Sequence, residues 1–103
     1  KQLCEDYIAD PLNHSLITAG LFKSFHASGL WAISHASELR TPVYVLHGAD
    51  DHLISPSGSR EFAAGAGAMV TLKIYPSTLH EPHNDLVCDE VLGDVSRWIS
   101  LLN

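Results

Sequence analysis

The stretch "VYVLHG", from Val43 to Gly48, decides the fold that we expect of this chain. It is β-branched and aromatic and has no polar residue before His47, so it predicts a strand that is apolar on both faces. Strands of this kind belong to parallel sheets that are covered by helices on either side. We therefore expect an α/β fold in which this strand has a neighbour along each edge.

A second strand is predicted at "VTLKIY", from Val70 to Tyr75, where apolar residues alternate with Thr71, Lys73 and Tyr75. The alternation predicts one wetter face. The segment from Ser57 to about Ala68 is predicted to be a helix opened by a Ser-Pro-Ser cluster. The three elements form a parallel βαβ unit, which supplies only one neighbour for the first strand. We expect another part of the protein, or another chain, to supply the second neighbour.

Helices are predicted on both sides of this unit. Apolar residues recur at roughly helical spacing from Pro11 to Ala36, with Gly29 at a bend or a join, and a polar break, "ELRTP", follows. From Asp85 onward apolar residues recur at spacings of three and four positions, which predicts an amphipathic terminal helix. The division expected is a helical segment over residues 1–40 and a βαβα part over residues 41–103. The first segment either packs as a helical layer or lines an acyl-chain channel with Leu16, Ile17, Leu21, Phe25 and Trp31.

The composition of the chain limits the kinds of substrate or partner that we expect it to bind. A chain of 103 residues that is 46% apolar and 17% charged is typical of one small globular domain. It has 12 acidic and 6 basic residues and no Lys/Arg cluster, which argues against nucleic acid or an anionic membrane surface and favours a small-molecule or neutral lipid-like substrate.

No apolar run reaches the roughly 18 residues of a transmembrane segment. Cys4 and Cys88 are isolated, which favours a reducing, cytoplasmic compartment, with one long-range disulfide as the alternative.

The position of a ligand site follows from the βαβ unit. Sites in open parallel sheets lie beyond the carboxyl ends of the strands, which here selects the loops "GADDHLIS" and "PSTLHEPHND". Asp51 and His80 can meet there because neighbouring strands lie only about 4.8 Å apart, and Asp50 is the rival acid. A carboxylate that accepts the Nδ1 proton of histidine fixes its tautomer and leaves Nε2 to take a proton from a nucleophile.

Two other interpretations of His80 are weaker. It could be a surface-loop histidine, or it could form a metal pair with His83. Pro82 opposes the regular helix that would put both rings on one face, and no third ligand has suitable spacing. We therefore predict no metal and no other cofactor.

We expect the polar residues close to Asp51 and His80 in the sequence to support the site and not to take part in the chemistry. We expect Glu81 to hold the loop by a local hydrogen bond, and Asn84 to be an N-cap for the terminal helix. His47 lies inside the first strand and His52 lies beside the acid. Both are interpreted as packing or surface residues.

The two loops also carry a family resemblance. "LHGADDHLIS" resembles the G-x-x-D-x-[IVL] loop of the α/β-hydrolases, and "LHEPHND" resembles the H-E-x-x-N-[ED] stretch of their monoglyceride lipase, lysophospholipase and serine aminopeptidase branch. "YIADPL" is similar to the end of the cap segment of that branch, and "DEVLGDVSRWI" to its terminal helix. The resemblance implies the C-terminal part of an α/β-hydrolase fold: the end of the cap helices, two parallel strands with a crossover helix, and the terminal helix. It implies Asp51 as the triad acid and His80 as the base, followed by Glu81, Asn84 and Asp85, the last where Glu is more usual.

The nucleophile is expected outside this chain. In this fold the order is nucleophile, acid, base, with the nucleophile on a G-x-S-x-G elbow, and no such motif occurs in these 103 residues. The resemblance implies an esterase or lipase acting on monoacylglycerol-like or lysophospholipid-like esters, whose missing N-terminal half carries the nucleophile, so this chain alone should be inactive. The alternatives are a peptidase, an epoxide hydrolase, a dehalogenase, or a non-catalytic hydrolase-like binding module.

Overall fold

The computed structural model describes residues 2–102, without the side chains of residues 2, 3, 4 and 6. The chain forms two compact units, Lys1–Trp31 and Ala32–Asn103. Its helices and strands, in chain order, are α1 (Gln2–Ala9), α2 (Ala19–Ser34), β1 (Val43–Gly48), α3 (Pro56–Ala66), β2 (Val70–Tyr75) and α4 (Cys88–Ser100). Within residues 2–102, no helix has the length and apolar character needed to cross a membrane.

The helical N-terminal segment is divided differently from the prediction. Sequence reasoning included residues 2–9 in the helical segment without placing a helix there, and it began the predicted helices at Pro11, whereas α2 begins at Ala19. The hydroxyl of Thr18 accepts the Leu21 backbone N–H at 3.1 Å and so caps α2 at its first turn. Gly29 lies inside α2 without a break, because one glycine in an exposed helix costs only about 1 kcal/mol.

The apolar side chains predicted to share one face of this segment are exposed. Leu16 and Ile17 precede α2, so only the other three lie on the helix: Leu21, Phe25 and Trp31. Helix packing and an acyl-chain channel therefore both stay predictions for them. The disulfide alternative depends on the side chain of Cys4, which lies outside the described residues, while Cys88 carries a free thiol.

The βαβ unit is confirmed. β1 and β2 pair in parallel, in register from Val43 opposite Val70 to Gly48 opposite Tyr75. The crossover helix α3 begins at an N-cap, Ser55, whose side chain accepts the Ser57 N–H, with proline at the first turn. Within residues 2–102 the sheet has these two strands, so β1 has a strand partner along one edge.

The predicted wetter face of β2 is confirmed in part: Thr71 is exposed and Lys73 is partly exposed, but Tyr75 is buried where α4 supplies its hydrogen-bond partner. Tyr75 is fully buried, and its hydroxyl donates to Asp94 Oδ2 at 2.9 Å. Lys73 forms an ion pair with the same carboxylate, and Thr71 Oγ1 accepts the Trp98 indole N–H at 3.2 Å. The alternation in the sequence indicates which positions carry polar side chains, but it does not show that a helix packed on that face supplies their hydrogen-bond and ion-pair partners.

The terminal helix begins later than predicted. α4 starts at Cys88, and its N-cap is Val87, which makes no side-chain cap, so the predicted N-cap role of Asn84 is wrong. At Asp85 the backbone is extended, and its carboxylate accepts the N–H groups of Leu79 and Leu86 instead of allowing a helical turn there.

Candidate active site

The two loops beyond the carboxyl ends of β1 and β2 are joined by backbone hydrogen bonds. Ala49 donates its N–H to Tyr75 O at 2.8 Å, and Asp50 donates its N–H to Thr78 O at 3.0 Å. Thr78 is fully buried, and its hydroxyl donates to Pro76 O at 2.9 Å. The sheet ladder is therefore extended into both loops, which fixes one against the other.

Glycine is required at position 48 by this close approach. A Cβ on Gly48 would lie 2.0 Å from Leu79 O and 2.3 Å from Thr78 O, closer than any real Cβ contact. The chain enters this loop through Ser77, whose φ of 52° is in the left-handed region. The backbone just before His80 thus runs directly over the end of β1.

Asp51 and His80 meet at this edge of the sheet. His80 Nδ1 lies 2.8 Å from Asp51 Oδ2, across 29 residues of sequence. The Asp51 side chain is 1% exposed, whereas that of His80 is 47% exposed. The rival acid, Asp50, is exposed, so the structure brings Asp51 to the histidine, as sequence reasoning predicted.

The environment of Asp51 keeps its carboxyl group ionised. Burial by itself would raise its pKa, but the backbone N–H of Ile54, the His80 ring and the backbone N–H of Leu53 together lower the pKa from 3.8 to about 2. Both N–H groups bind Oδ1, that of Leu53 at 2.8 Å and that of Ile54 at 3.0 Å. An ionised carboxylate can only accept hydrogen bonds, so His80 Nδ1 carries hydrogen, and in the neutral ring Nε2 then presents the lone pair.

A second histidine contacts the same carboxylate oxygen. His47 Nε2 lies 3.1 Å from Asp51 Oδ2, and His47 Nδ1 lies 2.8 Å from Ser59 Oγ. Sequence reasoning gave His47 only a packing or surface role. The available signal was that His47 interrupts an otherwise apolar strand just before the acid loop.

The residues after His80 stabilise its loop. Asn84 donates its backbone N–H to Glu81 O at 2.8 Å and its side-chain amide to Glu81 Oε2 at 3.1 Å. Glu81 therefore makes the predicted local hydrogen bond. His52 and His83 are exposed, and no group of three His, Cys, Asp or Glu side chains suited to a metal ion occurs within the described residues.

Comparison with known proteins assigns the family. The model of the serine aminopeptidase S33 family matches residues 1–87. The monoacylglycerol lipase of Mycolicibacterium smegmatis is 37% identical over 95 residues, which are 90% of this chain and 34% of that protein. A Schizosaccharomyces pombe protein named "Putative monoglyceride lipase" is 30% identical over 93 residues, which are 87% of this chain and 25% of that protein. The chain thus spans about a third or less of the length of these relatives. Its parallel strands, its two loops and the family match agree, and the chain belongs to the serine aminopeptidase S33 family of α/β-hydrolases, with the fold of their C-terminal part.

Proposed function

We propose that this chain supplies the acid and the base of a serine hydrolase that cleaves monoacylglycerol-like or lysophospholipid-like esters. The observation that carries the proposal is the 2.8 Å hydrogen bond between buried Asp51 and half-exposed His80. Two similar proteins are named as lipases of monoacylglycerol or monoglyceride, which supports an ester substrate.

The proposed mechanism is acyl transfer through a serine outside these 103 residues. His80 Nε2 takes the proton of the serine hydroxyl while the serine oxygen attacks the ester carbonyl. The protonated ring then gives that proton to the leaving alkoxide, and a water molecule repeats both steps to release the acid. Asp51 holds the ring by Nδ1 and stabilises the imidazolium while the proton is on it. The oxyanion hole would also come from outside this chain.

The rest of the hydrolase domain is proposed to cover the free edge of β1. β1 has β2 along one edge, and its residues Val43–His47 are only half-buried among residues 2–102. A further strand along the other edge would bury this apolar strand on both sides. In this proposal residues 1–40 are the end of the cap and residues 41–103 are the end of the hydrolase domain. We also propose a cytoplasmic location, from the two isolated cysteines in the sequence, Cys4 and Cys88.

The test uses the complete protein that carries this segment. His80→Gln removes the base without adding charge, and it should abolish hydrolysis of monoacylglycerol and of lysophospholipid while the melting temperature stays unchanged. His83→Gln is the matched control, because it is the same substitution on an exposed histidine three residues away and should leave turnover unchanged. Near-normal turnover by His80→Gln would refute the assignment of the base.

Peptide hydrolysis is the second candidate, favoured by the description of the matching family as serine aminopeptidases. The same triad would serve, because acyl transfer from an amide needs the same base to protonate the leaving amine. Aminoacyl p-nitroanilides assayed beside monoacylglycerols and lysophospholipids discriminate the two. Ester turnover without anilide turnover supports the lipase proposal, and the opposite result supports the peptidase.

A further inference from the structure

Asp51 lies against a histidine that the proposed triad does not include. We propose that His47 is a positioning residue that acts through Asp51 on His80, and this inference rests on the proposed function. His47 does not touch the reacting atoms. Its role would be to fix the carboxylate against which the base is aligned.

The hydrogen-bond partners of His47 determine where its proton lies. Nε2 lies 3.1 Å from Asp51 Oδ2 and 3.0 Å from Ile54 O, and both of these atoms can only accept. Nε2 must therefore carry hydrogen. Nδ1, 2.8 Å from Ser59 Oγ, can accept the hydroxyl proton of that serine. The hydrogen bond from Nε2 goes to Ile54 O, and the same polar N–H lies next to Asp51 Oδ2.

The N–H of His47 adds to the three hydrogen bonds that hold the carboxylate of Asp51. Oδ1 accepts the N–H groups of Leu53 and Ile54, and Oδ2 accepts the N–H of His80 Nδ1. His47 Nε2 lies 3.1 Å from the same Oδ2, so the partial positive charge of its N–H lies next to the carboxylate. Its hydrogen bond to Ile54 O also holds the loop whose N–H groups bind Oδ1. His47 would thus keep the carboxylate in place while the substrate reacts.

The surroundings of His47 make this donor hard to replace. Its side chain is 12% exposed, so water has little access to the position that the ring occupies. It is anchored by Ser59 in α3 and also closes the acid loop through Ile54 O. Removal of the ring would break the hydrogen bond to Ile54 O and would take a polar N–H away from the buried carboxylate of Asp51.

The test compares three substitutions in the complete protein. His47→Leu fills the volume without a donor. It should lower kcat about 10- to 100-fold with little change in KM, because the acid loop and its carboxylate lose the polar contact that aligns His80 after the substrate has bound. His47→Gln keeps an amide N–H toward Ile54 O and Asp51 and a carbonyl toward Ser59, so its kcat should stay within about threefold of the native value. His80→Gln is the reference for a hydrolase without its base. Melting temperatures show whether each variant folds.

Several outcomes would overturn the inference while the proposed function stands. They are an inactive His80→Gln with a His47→Leu that keeps kcat within about twofold, or equal losses for His47→Leu and His47→Gln. An active His80→Gln would instead refute the proposed function itself. Where His47→Leu does not fold, ¹⁵N NMR of the native protein decides: hydrogen on His47 Nε2 supports the inference, and a bare Nε2 overturns it.

Discussion

Replacement of Asp51 by asparagine tests the proposed acid most directly. Oδ1 of Asp51 accepts two backbone N–H groups, so the asparagine must place its carbonyl oxygen there. Its amide NH₂ then occupies the position of Oδ2, 2.8 Å from His80 Nδ1. An NH₂ group cannot accept, so it donates to Nδ1 and leaves the hydrogen of the neutral ring on Nε2. In this tautomer Nε2 already carries hydrogen, so His80 cannot accept the proton of the serine hydroxyl.

The expected loss in kcat for Asp51→Asn is on the order of 10⁴-fold, which is the loss found for the same substitution in serine-protease triads. Asp50→Asn is the matched control, since Asp50 is exposed and contributes only its backbone N–H to the loop. The assay is steady-state ester hydrolysis by the complete protein, with active enzyme counted by fluorophosphonate labelling after long incubation. A large loss in Asp50→Asn with an active Asp51→Asn would show that the acid is misassigned. More than a tenth of native activity in Asp51→Asn would refute the tautomer argument.

Two further predictions concern the frame of the site. Gly48→Ala places a Cβ 2.0 Å from Leu79 O, so it should lower the free energy of unfolding by about 1–3 kcal/mol and reduce turnover by displacing the loop before His80, as denaturant titration and kinetics can measure. Gly93→Ala is its control, because nothing lies within 4 Å of a Cβ in that helix, and it should stabilise by up to about 1 kcal/mol. Because folding lowers the pKa of Asp51 from 3.8 to about 2, its ionised form contributes about 2 kcal/mol above pH 3.8, and this is lost as the pH falls toward 2. The difference in unfolding free energy between the native protein and Asp51→Asn should therefore shrink between pH 5 and pH 2, and a constant difference would contradict the shift.

The strands and the acid–base pair could be predicted because both follow from local patterns. An apolar run bounded by polar residues marks β1, and parallel pairing places the loops after both strands at one edge. Asp51 and His80 then follow from their distance beyond the strand ends. The choice of Asp51 over Asp50 needed only the expectation that the chain has turned by that position, and the turn is present, since Asp51 N–H donates to Gly48 O at 3.4 Å.

The features that sequence reasoning missed depend on partners that are distant in sequence or on competition for the same backbone groups. Tyr75 is buried because the Asp94 carboxylate on α4 accepts its hydroxyl hydrogen. Asp85 delays α4 because its side chain binds the N–H of Leu79, six residues earlier. The contact of His47 with Asp51 exists only because the intervening turn brings position 51 back toward the strand. No periodicity in the sequence reports these contacts.

His47 and Gly48 show how the end of one strand can set the alignment of two loops. Successive residues of a strand face opposite sides, so adjacent positions can serve different neighbours. At position 48 the missing side chain admits the backbone before His80, and at position 47 the imidazole lies 3.1 Å from the carboxylate of Asp51. A shift of β1 by one residue would turn the imidazole toward the loop of the base and away from Asp51. The order of these two residues therefore contributes to the alignment of the acid loop with the loop of the base.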